Sequence, residues 1–181
     1  MTWRRIAVYY VLSLLLGGYY FAFEWRPNPD MPVRGARPVI QNRFLPLARE
    51  DIHEVVLRRQ EGAVRCVRNG DKWETLEPQN VEITSAIVES LLENLTQEKA
   101  IQVVEQNATD LKPYGLADPY SILELKGKEN NLLATVSVGD RNPTASAVYA
   151  LKDKSRQVVV VGYNIRYYEE LIFEAAGFSR E

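Results

Sequence analysis

An uncharged apolar run from Ile6 to Phe23, introduced by Arg4 and Arg5 and followed by a proline-rich stretch, constrains this chain more than any other feature. At about 1.5 Å of helical rise per residue the run covers roughly 27 Å, close to the roughly 30 Å hydrocarbon thickness of a bilayer. One pass is feasible, and no later segment repeats the pattern. The run is longer than a signal-peptide core of roughly 7 to 15 residues, and Gly17-Gly18-Tyr19-Tyr20 leads into further aromatics instead of a small-x-small cleavage site. Both details favour a retained anchor over a cleaved signal. Trp3, Tyr9 and Tyr10 near one end, and Tyr19, Tyr20 and Trp25 near the other, suit rings that settle at membrane interfaces. Ser13 and Gly17 form a small-xxx-small pair, a candidate helix-packing contact, although such residues are tolerated in any membrane helix.

The flanking charges do not agree on orientation. Arg26, Arg34, Arg37 and Arg43 outnumber Arg4 and Arg5, which argues for a cytoplasmic domain. A short basic tail followed directly by an apolar run is instead the layout of a signal anchor, and long domains translocate with little regard to charge. The second argument is preferred, which places the chain in the inner (plasma) membrane with its soluble domain on the extracytoplasmic, periplasmic side. Pro27, Pro29, Pro32, Pro38 and Pro46 then make residues 24–48 a semi-extended tether, because proline fixes φ and withholds a donor. The expected organisation is an anchor over 1–23, the tether over 24–48 and a soluble domain over 49–181.

That domain is large enough for one core. Removing Arg4 and Arg5 from 22 Lys+Arg leaves 20 basic residues against 24 acidic ones, net −4, which is no footprint for nucleic acid. Cys66 is the only cysteine, so no intrachain disulfide forms. Alternation predicts a half-buried strand over Ile52–Arg59, with Val55, Leu57 and Arg59 on one face and Ile52, Glu54, Val56 and Arg58 on the other. It also predicts strands over Ala63–Asn69 and from Trp73 to Leu76, with Asn69-Gly70 as a hairpin turn because both positions tolerate positive φ. Ile87, Val88, Leu91, Leu92 and Leu95 recur at helical spacing, predicting a helix over 84–97 that Thr84 or Ser85 caps. Further strands follow at Ile101–Glu105, Ser121–Lys126, Leu132–Gly139, Ala147–Leu151 and Gln157–Val161. Asn164 is expected to cap a last helix with an apolar face of Ile165, Tyr168, Leu171, Ile172 and Ala175, ended by Gly177. Strands, helix, strands, helix predict an α+β domain with a mainly antiparallel sheet and two covering helices.

Asp110-Leu111-Lys112-Pro113-Tyr114-Gly115-Leu116-Ala117-Asp118-Pro119 has a complete local interpretation. Leu111 to Tyr114 make one turn, Gly115 stops it with positive φ, Leu116 packs inward, and Asp118-Pro119 releases the chain into the next strand. The same run, D-L-x-x-Y-G-L-x-x-P, is also a point of resemblance, together with Gly70 and Trp73 as G-x-x-W, Val138-Gly139-Asp140 as V-G-D, and Val148-Tyr149 as V-Y. In these motifs the chain resembles the domain-of-unknown-function family 4340, associated with gliding-motility-type ABC transporter auxiliary proteins, from about Asp51 to Phe173. The resemblance implies a membrane-attached bacterial module with a membrane-protein partner such as an ABC-type permease, and it brings no catalytic residues.

Little in the residues points to a reaction. His53 is the only histidine, on a strand beside Asp51 and Glu54, and Cys66 alternates with Val64 as a buried small side chain. No Walker-type phosphate loop, paired CxxC motif or G-x-S-x-G elbow is present, so catalytic, cofactor and metal residues are all expected to be none. Two functions from different classes remain: a non-catalytic interaction module beside a transporter or envelope complex, in contact with the bilayer, and an envelope ligand-binding domain for lipid or glycan. The candidate partner or ligand contacts are Tyr114 and Tyr120, with Tyr163 and Tyr167 completing an aromatic platform for the second.

Overall fold

The computed structural model describes residues 3, 12–14, 16, 19, 43–97 and 100–178. Most of the sequence-read anchor, Gly17 included, and most of the tether therefore lie outside the described residues. Trp3, Leu12, Ser13, Leu14, Leu16 and Tyr19 are helical and exposed. Among the described residues no helix is long and apolar enough to cross a membrane. The chain divides into two units, Met1–Val39 and Ile40–Glu181, and the second holds the sheet.

Its elements run β1 (Glu54–Arg59), β2 (Gly62–Asn69), β3 (Lys72–Glu77), α1 (Ser85–Gln97), β4 (Gln102–Glu105), β5 (Ser121–Lys126), β6 (Leu132–Arg141), β7 (Ala147–Lys152), β8 (Val158–Gly162) and α2 (Asn164–Ala175). The eight strands form one sheet in the order β3-β2-β1-β5-β6-β7-β8-β4. Every neighbouring pair is antiparallel. Two meanders, β1-β2-β3 and β5-β6-β7-β8, thus meet along β1 and β5, while β4 crosses over to pair with β8. This is the expected α+β arrangement with a mainly antiparallel sheet.

Alternation sorts the strands into two faces. Val55, Leu57, Val64, Leu123, Val136, Val148 and Val161 point into the main core, where they meet Val88, Leu91, Leu92 and Leu95 of α1 and Ile165, Ile172 and Phe173 of α2. Each such side chain removed from water contributes about 1.5–3 kcal/mol. On the other face Leu151 and Val158 pack with Ala108 and Leu116 in a smaller cluster that covers the β7–β8 end. The loop between β4 and β5 lies there as a flap.

Local details differ from the sequence expectation in three places. The β2–β3 turn carries positive φ at Gly70 (φ 61), while Asn69 stays in the ladder paired with Lys72. β1 is not half-buried: Glu54 and Val56, on the face opposite Val55 and Leu57, are buried along with them. On that face Glu54 pairs with Arg65 and Lys126, and Arg58 with Glu124. Asn164 is the first helical residue of α2 and not its cap; Tyr163 holds that position without a side-chain cap bond. The buried stripe of α2 is Ile165, Glu169, Ile172, Phe173 and Ala176, and Ala175 is exposed. A hydrophobicity pattern passes over Glu169, and the expected face rotates accordingly. Gly177 (φ 84) ends the helix as expected, with Phe178 N–H donating to Phe173 C=O, Gly177 N–H to Glu174 C=O, and the Phe173 and Phe178 rings 5.4 Å apart.

Candidate functional site

The motif between β4 and β5 builds the flap. Lys112–Tyr114 form one 3-10 turn, Gly115 takes φ 64 after it, and Leu116 turns inward at 5% exposure. The later V-G-D run lies directly against this turn. A methyl group on Gly139 would collide with the Tyr114 carbonyl oxygen and stand 2.9 Å from Leu116 Cγ, and one on Gly115 would strike the Asp140 carboxylate. The two glycines thus let the motifs approach backbone to backbone. Far apart in sequence, they form one packed junction.

That junction holds the end of β4. The half-buried Tyr114 donates its hydroxyl proton to Glu105 Oε2 at 3.0 Å, and its ring stands edge-on to Tyr149 with centroids 5.1 Å apart. The bond to Glu105 raises the affinity of the phenol for its proton. Ile101 N–H donates to Val160 C=O at 2.8 Å, and Gln157 donates to the Gln106 side chain at 2.6 Å. Contacts on either side therefore fix β4 to the body of the domain.

β4 is nevertheless exposed. It ends the sheet, and Ile101 (65%), Val103 (40%) and Val104 (39%) present apolar surface to solvent. A register shift against β8 between Val103 and Glu105 leaves Val104 out of the pairing. Beside it runs a groove of about 500 Å³ lined by Arg43, Phe44, Ile101, Val103, Lys152 and Gln157 among others, in which Arg43 and Lys152 are the only charged residues. Among the described residues neither forms an ion pair. β3, at the opposite end of the sheet, alternates Lys72, Glu74 and Leu76 on one parity and is followed by Pro78. Such charges and prolines are the usual protection of an edge, and β4 has none over its apolar stretch.

Tyr120 lies elsewhere, in a polar cluster where α2 crosses the ends of β1, β5 and β6. Its ring stacks on the guanidinium groups of Arg59 (4.2 Å) and Arg166 (3.6 Å), and its hydroxyl donates to Glu170 Oε1 at 3.3 Å. Tyr163 donates to the other oxygen of Glu170 and accepts from Arg141. Glu169 is fully buried behind them, accepting from Ser121 Oγ at 2.7 Å; its second oxygen and the Nε and Nη2 of Arg59 have no hydrogen-bond partner among the described residues. Burial pushes the Glu169 carboxyl up to about 7, although Ser121, Arg59 and Arg166 pull the other way. Tyr167 is exposed, edge-on to Tyr168. The four tyrosines do not converge: Tyr114 serves the flap, Tyr120 and Tyr163 hold Glu170, and Tyr167 stands apart.

The remaining reactive residues are built into strands and their approaches. Nδ1 of His53 lies 3.1 Å from the Asp51 carbonyl oxygen, and Cys66 is 3% exposed with its thiol pushed up by burial. Among the described residues no group of three metal-ligating side chains occurs. Neither the exposure of the β4 edge nor the burial of Glu169 follows from periodicity. The signal for the edge was present in Ile101-Gln102-Val103-Val104, where apolar residues of both parities stand without a charge.

No curated protein and no solved structure matches the chain. A family model does match, over residues 73–174, which includes Trp73, the Tyr114 turn and the Val138-Gly139-Asp140 run and begins later than the Asp51 start suggested by the resemblance. With more than half of its length matched, and with the motifs that meet at the flap inside the match, this chain belongs to the domain-of-unknown-function family DUF4340.

Proposed function

We propose that this chain is a non-catalytic, single-pass membrane-anchored accessory module that binds a membrane-protein partner in a bacterial envelope or ABC-transporter-type complex, with its folded domain on the extracytoplasmic side of the plasma membrane. The observation that carries the interaction role is the apolar, solvent-facing β4 at one end of the sheet, held in place by the family motif through Tyr114 and Glu105. Exposed apolar strand edges are costly to leave open, and they serve as attachment points for other chains. The Ile6–Phe23 run supports anchoring, and Leu12, Leu14 and Leu16 in it are helical and exposed. Cys66, buried with a raised pKa, suits packing better than nucleophilic attack. The tyrosine-platform alternative has less support, since three of its four hydroxyls already serve internal carboxylates.

The test places a photo-crosslinking residue at Val103 of the full chain in native membranes, and in a separate preparation at Leu76 on the opposite edge. A discrete adduct with an integral membrane protein is expected from Val103 alone. Equal yields from both edges, or no adduct from either, would remove the interaction role. Protease digestion of sealed cells and of inverted vesicles reads the side of the domain; protection in cells made permeable only at the outer face would place it inside.

A further inference from the structure

We infer that β4 receives an extended acidic strand: a partner segment in which apolar residues alternate with Asp or Glu adds to Gln102–Glu105 and continues the sheet. This rests on the interaction role proposed above and specifies the chemistry of the partner.

Three observations carry it. The first is topological, since β4 closes the strand order and an incoming strand meets a ladder already in register with β8. The second is the surface, where Ile101, Val103 and Val104 offer apolar contact on both sides of the strand. The third is charge. Elsewhere in the domain five arginines are matched, Arg58 with Glu124, Arg65 with Glu54, Arg68 with Glu89, and Arg141 and Arg166 with Glu170, while Arg49 and Arg59 form no ion pair among the described residues and stand apart from one another. At the β4 end Arg43 and Lys152 line the groove, and Lys154 and Arg156 follow on the β7–β8 loop, with no ion pair among the described residues. The nearby carboxylates are occupied otherwise: Glu105 accepts from Tyr114, and Asp153 accepts from the Thr135 N–H.

In a chain of net charge −2, unmatched cations therefore gather beside the open strand. Electrostatic complementarity then selects an acidic partner, while the backbone ladder holds it. An anionic lipid surface would meet the same cations but would leave the strand edge unused, so the edge favours a peptide.

The full chain, purified in mild detergent, is titrated with a fluorescent peptide of about ten residues alternating valine and glutamate, long enough to span β4 at about 3.3 Å per residue. A second peptide carries lysine in place of glutamate. The acidic peptide is expected to bind at least about tenfold tighter and to slow amide exchange at residues 102–105. The Ile101→Lys/Val103→Lys pair, at exposed positions, weakens it by about tenfold or more, and Arg43→Glu/Lys152→Glu reverses the preference between the peptides. Equal binding of both peptides, or binding without protection of residues 102–105, overturns the inference. So does protection produced by anionic lipid alone when the chain is reconstituted in vesicles with and without phosphatidylglycerol, because the cations would then serve the membrane. If Val103 crosslinks a partner in native membranes but neither peptide binds, the acidic-strand inference falls and the interaction role stands.

Discussion

Glu54 and Glu169 are both buried carboxylates, on opposite faces of the same sheet, and the domain treats them in opposite ways. Glu54 lies on the face away from the helices, held by Arg65 through Nε at 3.0 Å and Nη2 at 3.1 Å and by Lys126 at 3.0 Å. The bonds from Arg65 lead in drawing its pKa below the ordinary value, against the cost of burial. Glu169 lies under α2 with one serine hydroxyl on one oxygen, and burial there outweighs Arg59 and Arg166, with Glu170 adding to the rise. Glu169 is both more deeply buried and reached by fewer donors than Glu54, and the two differences drive the pKa values apart in the same sense.

The largest effect should come from stripping Glu54 of its cations. Arg65→Met/Lys126→Met leaves an unpaired buried charge and is expected to cost about 4 kcal/mol at pH 7 in urea unfolding. The sign follows from the lowered pKa: the stabilisation is present above pH 4.5 and is lost as the pH falls through the folded-state value. The double variant should therefore approach the parent in acid; an equal deficit at every pH would mean that its cost is packing, not charge.

Glu169 should give the next largest effect, with the opposite slope. The folded chain keeps a proton that the unfolded chain has released, so stability falls as pH rises from 4.5 to about 7 and changes no further from this group above that. The gap, at about 1.4 kcal/mol per pH unit, amounts to about 3 kcal/mol. Glu169→Gln should match the parent near pH 4 and exceed it by up to that amount at pH 8. A parallel pair of pH–stability curves would remove the contrast between the two sites.

Ser121→Ala sharpens the comparison at smaller scale. It deletes the bond that lowers the Glu169 pKa, so titration of Glu169, followed by carbon NMR of its carboxyl, should move higher and stability should drop by about 1 kcal/mol. An unmoved titration would show that the hydroxyl contributes only packing. Arg65→Lys, which keeps the charge beside Glu54 and loses the two-pronged bond, should cost less than about 1 kcal/mol, with Lys126 still in place.

The contrast also shows why parts of the molecule were legible in sequence. The meanders, the two helices and the turn closed by Gly115 were legible because each depends on periodicity or on a residue suited to one backbone conformation, and both are local. The packing of Leu116 followed from the same turn. The burial of Glu54 and Val56 was not legible, because it depends on Arg65 and Lys126 arriving from β2 and β5 on either side of β1. The buried face of α2 departs from the apolar periodicity for a related reason. A glutamate at the centre of the buried stripe reads as a solvent-facing residue until Ser121, from another strand, meets it.

By itself the sequence determined the order and type of the elements, the apolar run at its start, and a family motif whose glycine stops a turn. Only the tertiary structure decided that β4 leaves its neighbours in sequence to pair with β8 and so ends the sheet, and that Tyr114 donates its hydroxyl to Glu105 at that end. Helical and strand periodicity come from each residue's own backbone and nearest turn. The partner of a strand, and the exposure left over when the sheet closes, come from contacts between segments that the chain separates.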